Sequence, residues 1–212
     1  ETGSEMLRAE TRLFQPTMQT HYKHSTSRLT SLLQNVILIL YNYFREDAPM
    51  NAEQYRAVIG WFNARPAAKR ALRLVSRSAV ALVYLLYLGM LAWLAWHRMG
   101  QLWPALVVPA SAFVVGTLVR KLIDRPRPYT ALGFTPLFPK DKTGQSMPSR
   151  HCFSAAAIVA AAFTVWVPLG VAACLLAAVV AVTRVLTGVH YPSDVLAGLA
   201  FGAGAAVIGF LL

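Results

Sequence analysis

Five stretches of the chain are apolar at nearly every position: Ser78–Trp96, Leu102–Ile123, Cys152–Val167, Leu169–Leu186 and Val195–Leu212. Each approaches the ~20 residues an α-helix needs to cross the hydrocarbon core of a bilayer. None shows the period-2 alternation of a half-buried strand, and no internal repeat stands out. The pattern predicts an all-α, polytopic membrane bundle with short breaks at HRMGQ, VPLG and GVHYPSD. One longer break, Asp124–Gln145, is too polar and proline-rich to span. Trp93 and Trp96 suit an interfacial helix end. Gly198 and Gly202 form a small-xxx-small pair that allows close helix approach, although glycine is also simply common in membrane helices.

Upstream, Tyr55, Val58, Ile59 and Phe62 recur at helical spacing, and Arg65, Lys69, Arg70, Arg73 and Arg77 follow. Residues 50–77 therefore read as a basic amphipathic helix lying on the membrane surface and leading into the core, residues 78–212. Leu29–Phe44 is a shorter apolar stretch containing Asn35 and Asn42, at most a sixth, short membrane helix. Residues 1–28 carry no apolar stripe, ETGSE resembles a processed or engineered terminus, and Met50 reads as a natural start. Residues 1–49 are thus expected to be an extension or fused segment. His21 and His24 lack a nearby Cys or acidic partner and read as solvated rather than metal-binding.

Composition strengthens the membrane reading. Hydrophobic residues make up 56% of the 212 and charged residues 14%, against ~45–50% and ~25% in soluble domains. The net charge of +11 would suit nucleic acid, but on a chain of apolar spans it points to membrane lipids or a phosphorylated substrate, with no nucleic-acid partner. Cys152 and Cys174 fall at different depths of neighbouring spans and are not expected to pair.

Hairpin topology brings the chemistry together. The ends of the second and fourth spans and the beginnings of the third and fifth must share one side of the membrane. These ends carry three polar clusters: RKLIDRPRPY, with Arg120, Lys121, Asp124, Arg125 and Arg127; PSRH, with Ser149, Arg150 and His151; and TRVLTGVHYPSD, with Arg184, His190 and Asp194. Charge this close to hydrocarbon usually marks function. Several guanidinium groups and a hydroxyl suit a tetrahedral dianion. Two histidines supply a nucleophile and an acid, and a carboxylate four residues after His190 can fix its tautomer. The clusters lack a metal-ligand set, so the chemistry suggested is phosphoryl transfer without metal or other cofactor. The plainer reading makes Ser149 an N-cap with a snorkelling Arg150 and Asp194 a cap of the last helix.

Arg120-x6-Arg127-Pro128, Pro148-Ser149-Arg150-His151 and Thr183-Arg184-x5-His190-x3-Asp194, in that order on matching span ends, resemble the motifs of the type 2 phosphatidic acid phosphatase (PAP2) superfamily, K-x6-R-P, P-S-G-H and S-R-x5-H-x3-D. The likeness covers about residues 75–212. It implies the helical bundle shared with vanadium haloperoxidases, and a metal-independent lipid phosphatase working through a phosphohistidine. His190 would be the nucleophile, Asp194 its orienting partner, and His151 the acid and then the base. Arg120, Arg127, Ser149 and Arg184 would hold the phosphoryl oxygens, with Arg150 as an added donor. Lys121 and Arg125 are second-rank phosphate candidates; Arg125 has Asp124 or a headgroup as its alternative partners. Lys140 and Lys142 read as solvated loop charges.

Arg120 stands where the pattern has Lys, Arg150 where it has Gly, and Thr183 where it has Ser. A membrane protein with only a relic phosphate site is the competing class. Small bacterial members of the family suggest undecaprenyl diphosphate as substrate, then phosphatidate or phosphatidylglycerophosphate. The family usually faces out of the cytoplasm. The basic run before the first span argues the opposite by the positive-inside rule, and the outward placement is the expectation taken here.

Overall fold

The computed structural model describes residues 50–212. The stretch Leu29–Phe44 and the histidines of HYKH lie outside the described residues. The described residues form α1 (Ala52–Asn63), α2 (Pro66–His97), α3 (Met99–Ile123), the single turn α4 (Pro128–Ala131), α5 (Arg150–Val165), α6 (Val167–Leu186) and α7 (Pro192–Leu211). No strand occurs among them.

Four of these helices, α2, α3, α6 and α7, are long and apolar enough to cross a membrane. The fifth apolar helix, α5, has only 16 residues, about 24 Å at 1.5 Å per residue. Its position explains why so short a helix suffices. Nine of its side chains are buried, five of them alanine, and it packs most heavily on α6 and α7. A helix wrapped in other helices need not match the bilayer thickness, and small side chains let its neighbours approach. Gly198 and Gly202 of α7 make the closest approach. A Cβ on Gly198 would sit 2.8 Å from the Ser149 carbonyl oxygen, and one on Gly202 would collide with the Phe153 carbonyl. The glycine pair is thus a packing device.

The outer surface is inverted relative to a soluble protein. Leu85, Leu88, Val114, Leu118, Val182 and Leu196 are all more than half exposed. Such a continuous apolar belt belongs in lipid.

One boundary and one packing face differ from those predicted. The chain breaks at Ala64–Arg65, before Pro66, and not at residue 77; from Pro66 one helix of 32 residues runs through to His97. Proline at the first turn starts a helix without loss, so the basic residues Lys69, Arg70, Arg73 and Arg77 ride on the first turns of a spanning helix. The short α1 is closed at its start by a reciprocal capping box between Asn51 and Gln54. Its apolar stripe, predicted to face the bilayer surface, buries Tyr55 and Ile59 in protein. Ile59 packs with Leu72 and Leu137, and Tyr55 stacks on Phe134 at 5.1 Å. An apolar stripe requires an apolar partner, and here the partner is the loop between α4 and α5.

That loop crosses the bundle end. Leu137 N–H donates to the Thr187 carbonyl (3.2 Å), Ser146 N–H to the Arg125 carbonyl (2.8 Å), and Arg127 N–H to the Thr143 carbonyl (3.0 Å). The ends of α3 and α6 and the starts of α5 and α7 therefore share one roofed face.

Candidate active site

Asp194 is the fixed point of this face. It lies in the first turn of α7 and is fully buried. Its Oδ1 accepts from Arg125 Nη1 at 2.8 Å. Its Oδ2 accepts from the Tyr191 N–H at 2.9 Å and from the Ser146 hydroxyl. The capping role is therefore real, and it coexists with a second one. The ring of His190 presents Nδ1 to the same carboxylate, 3.6 Å from Oδ2 and 3.4 Å from Ser146 Oγ. This separation is an ion-pair distance, longer than a hydrogen bond. Such contacts are often loose in free enzymes and tighten on binding. With Nδ1 turned to protein, Nε2 is the nitrogen left for the cavity that His190 lines.

Burial pushes the His190 imidazole below the ordinary histidine pKa. The hydrogen-bonding pull and charge of Asp194 oppose this, and the nearby Arg127 and Arg120 reinforce it. The ring is thus neutral at physiological pH, the state a nucleophile requires. Tyr55 fixes the backbone here, donating to the His190 carbonyl at 3.1 Å.

The cavity has a volume of about 430 Å³ and is lined by Arg120, Arg127, Arg150, His151, Arg184 and His190. All six were predicted from the motifs. Backbone carbonyls aim two of the arginines: Arg120 Nη1 donates to Pro148 (2.8 Å), Arg127 Nε to Gly144 (3.2 Å) and Arg127 Nη1 to Val189 (3.3 Å). Arg120 also donates to the Gln145 carbonyl. Arg184 Nη2 donates to Ser76 Oγ at 3.1 Å, while its Nε is buried without a partner. Arg150 is exposed at the cavity mouth. Several guanidinium groups with one carboxylate, Asp141, on the lining make a strongly electropositive pocket suited to a phosphate.

Other predicted residues lie elsewhere. Ser149 is the N-cap of α5, but its side chain makes no cap hydrogen bond, its Oγ is buried without a partner, and it does not line the cavity. Lys121 is exposed and outside the lining; one helix position from Arg120 turns it about 100° away. Arg125 is absent from the lining too: it grips Asp194 and Ser193 Oγ (2.9 Å) and lies 4.3 Å over the Tyr191 ring. The alternative Arg125–Asp124 pair does not form; Asp124 ends α3 in the left-handed region and accepts from the Gln145 N–H at 3.1 Å. Lys140 and Lys142, read as solvated loop charges, line the cavity. Ser146 and Tyr55 were missed. Their partners lie 48 and 135 residues away, and no local pattern carries such a contact. Cys152 is buried and Cys174 exposed, both as free thiols.

The family model of the PAP2 superfamily matches residues 101–212, just over half of the chain, and the chain belongs to that superfamily. Its sequence is similar to the lipid A 1-phosphatase of Rhizobium etli, 38% identical over 94 residues, covering 42% of this chain and 40% of the relative. It is likewise similar to the decaprenylphosphoryl-5-phosphoribose phosphatase of Mycobacterium tuberculosis, 39% identical over 104 residues, 46% of this chain and 55% of the relative. The chain thus spans only about half or less of these relatives' lengths. In fold it resembles the transmembrane PAP2-type phosphatidylglycerolphosphate phosphatase of Bacillus subtilis, with TM-score 0.57 and 21% identity over 82% of this chain and 94% of that one. Aquifex aeolicus LpxE is comparable, with TM-score 0.59 and 22% identity over 76% and 95%. The predicted membrane helical bundle is therefore the fold.

Proposed function

We propose that the protein is an integral membrane phosphatase that hydrolyses a phosphate ester on the polar head of a lipid through a phosphohistidine. The observation that carries this reading is the placement of His190. Its Nδ1 faces a buried, fully engaged carboxylate, and its ring lines a cavity rich in arginine. In the first step, Nε2 of neutral His190 attacks phosphorus and the bond to the lipid oxygen breaks. His151, at the start of α5 on the same lining, takes up a proton once the phosphate dianion offsets the guanidinium charge around it, and donates that proton to the departing oxygen. In the second step, His151 takes a proton from water, the water oxygen bonds to phosphorus, and the P–N bond breaks to release inorganic phosphate. Arg120, Arg127 and Arg184 neutralise the equatorial oxygens through both steps, and Arg150 adds a donor at the mouth.

The two sequence relatives named above are named for a phosphate carried on a lipid, and this class is the substrate class proposed. The polyprenyl name among them keeps undecaprenyl diphosphate on the panel, beside phosphatidate and phosphatidylglycerophosphate. We place the cavity on the extracytoplasmic side. Of the basic residues before the span, Arg73 and Arg77 line a cavity beside the active site, so part of that charge has a use other than setting topology. Lys140→Cys in a Cys174→Ser background, where the one native thiol left, Cys152, is buried, should react with an impermeant maleimide on intact cells; protection there with reaction in inverted vesicles would reverse the placement.

The deciding experiment measures phosphate release from the three lipids by detergent-purified protein with EDTA present, beside His190→Ala. Release that survives EDTA and disappears in the variant, with an acid-labile, alkali-stable phosphoenzyme in wild type, is the expected result. Equal absence of release in both proteins would replace this reading with headgroup binding at a relic site.

A further inference from the structure

A second cavity, of about 350 Å³, adjoins the first. Arg73, Ser76 and Arg77 line it from α2, spaced i, i+3 and i+4 on one helix face. Lys140 and Arg184 line it from the roof loop and α6, and these two line the reaction cavity as well. Phe138 forms a platform under the Arg73 guanidinium, 4.6 Å from its ring centre. Ser76 is buried, and through its bond to Arg184 Nη2 it ties the two cavities together. Neither Glu53, Asp124, Asp141 nor Asp194, the carboxylates among the described residues, lines this space. Four cationic side chains thus surround a pocket that no carboxylate of the described residues lines.

We propose that this pocket is a second phosphate-binding subsite, which makes the enzyme select lipids whose head carries another phosphate besides the one removed. The proposal rests on the lipid-phosphatase reading above. Like charges gathered around one space repel, and an anion relieves that repulsion. Guanidinium forks match phosphate oxygens in particular. Because Lys140 and Arg184 border both spaces, a phosphate in each would share their charge, and the two can belong to one headgroup. An acyl or prenyl tail has no place among these side chains. The same pocket chemistry would accept the phosphodiester of a neighbouring lipid, so the test separates the two sources.

Arg73→Gln/Arg77→Gln is assayed against wild type in mixed micelles on phosphatidylglycerophosphate, which has a diester and a monoester, and on phosphatidate, which has the monoester alone. A phosphate with two charge-assisted contacts removed should lose roughly ten-fold or more in kcat/KM. That loss is expected on phosphatidylglycerophosphate, carried by KM, with phosphatidate turnover unchanged within about two-fold. Turnover of phosphatidate also shows that the variant is folded. A third arm adds phosphatidylglycerol to the phosphatidate micelles. A response in wild type that disappears in the variant assigns the pocket to a neighbouring lipid's phosphate. Parallel losses on both substrates without that response, or no loss on either, overturn the subsite. Binding of the two lipids to His190→Ala, with and without the Arg73 and Arg77 changes, reads the same selectivity as Kd without turnover. Failure of catalysis and failure of the subsite are therefore distinguishable.

Discussion

Arg125 Nη1 lies 2.8 Å from Asp194 Oδ1, with both side chains buried and the two residues 69 positions apart in sequence. This contact joins the end of α3 to the start of α7, and it decides the role of Arg125: it holds the carboxylate that faces His190 rather than the substrate. Arg125→Ala would leave that carboxylate buried without its cation, which typically costs 3–5 kcal/mol when one partner of a buried pair is removed. A large fall in thermal stability in detergent is expected, with loss of kcat in whatever protein remains folded. Arg125→Lys should recover part of the stability. Near-wild-type melting of Arg125→Ala would refute the positioning role.

The pH profile reports His190. Burial lowers its pKa in the folded protein, so the unfolded chain binds the additional proton as pH falls through the ordinary histidine value of ~6.5. The neutral ring, the form the proposed nucleophile needs, therefore persists below that value. The acidic limb that His190 imposes on kcat/KM should lie below pH ~6.5. By the same sign, stability falls as the pH drops through that region, because the unfolded state gains protons there. An acidic limb at or above 7, tracked to His190 by variants, would contradict this.

Tyr55 links α1 to the active site through its hydrogen bond to the His190 carbonyl and its stacking on Phe134. Tyr55→Phe keeps the ring and removes the hydroxyl, a change expected to cost about 0.5–1.5 kcal/mol. Tyr55→Ala removes the ring too, and buried aromatic deletions cost about 3–5 kcal/mol. Comparing detergent melting and kcat for the pair should show a small and a large effect. Equal, negligible effects would mean that α1 is dispensable to the site.

The glycines of α7 divide by their surroundings. Gly202 faces the Phe153 backbone, while a Cβ on Gly204 meets nothing within 4 Å. Gly204→Ala should be neutral or stabilising by up to about 1 kcal/mol, the helix preference for alanine. Gly202→Ala forces α7 away from α5, and overpacking of this kind costs about 1–3 kcal/mol or more. Folded yield and melting temperature in one detergent provide the comparison.

The membrane-bundle architecture was legible in the sequence because a bilayer demands a long apolar run for each spanning helix, and such runs survive any arrangement of their neighbours. The convergence of Arg120, Arg127, Arg150, His151, Arg184 and His190 was legible for a related reason. Short connections force alternate span ends onto one side, so motifs at those ends must meet. The partners of individual side chains were not legible. Arg125 has Asp124 beside it in sequence, yet Asp124 turns to the Gln145 N–H and Arg125 reaches α7. Ser149 occupies the expected cap position but contributes its N–H, to the Asp194 carbonyl at 2.9 Å, rather than its hydroxyl.

The sequence by itself determined the number and character of the apolar helices from residue 66 onward, the polar clusters at their ends, and the residue types able to hold and attack a phosphate. Those properties are local, fixed by hydropathy and spacing. Only the tertiary structure decided that the apolar stripe of α1 packs on the roof loop, that Arg125 serves Asp194, that Lys140 lines the arginine-rich cavity, and that Arg73 and Arg77 border a second one. Each depends on which distant surfaces meet across the bundle, and a side chain's partner is set by that geometry rather than by its neighbours in the chain.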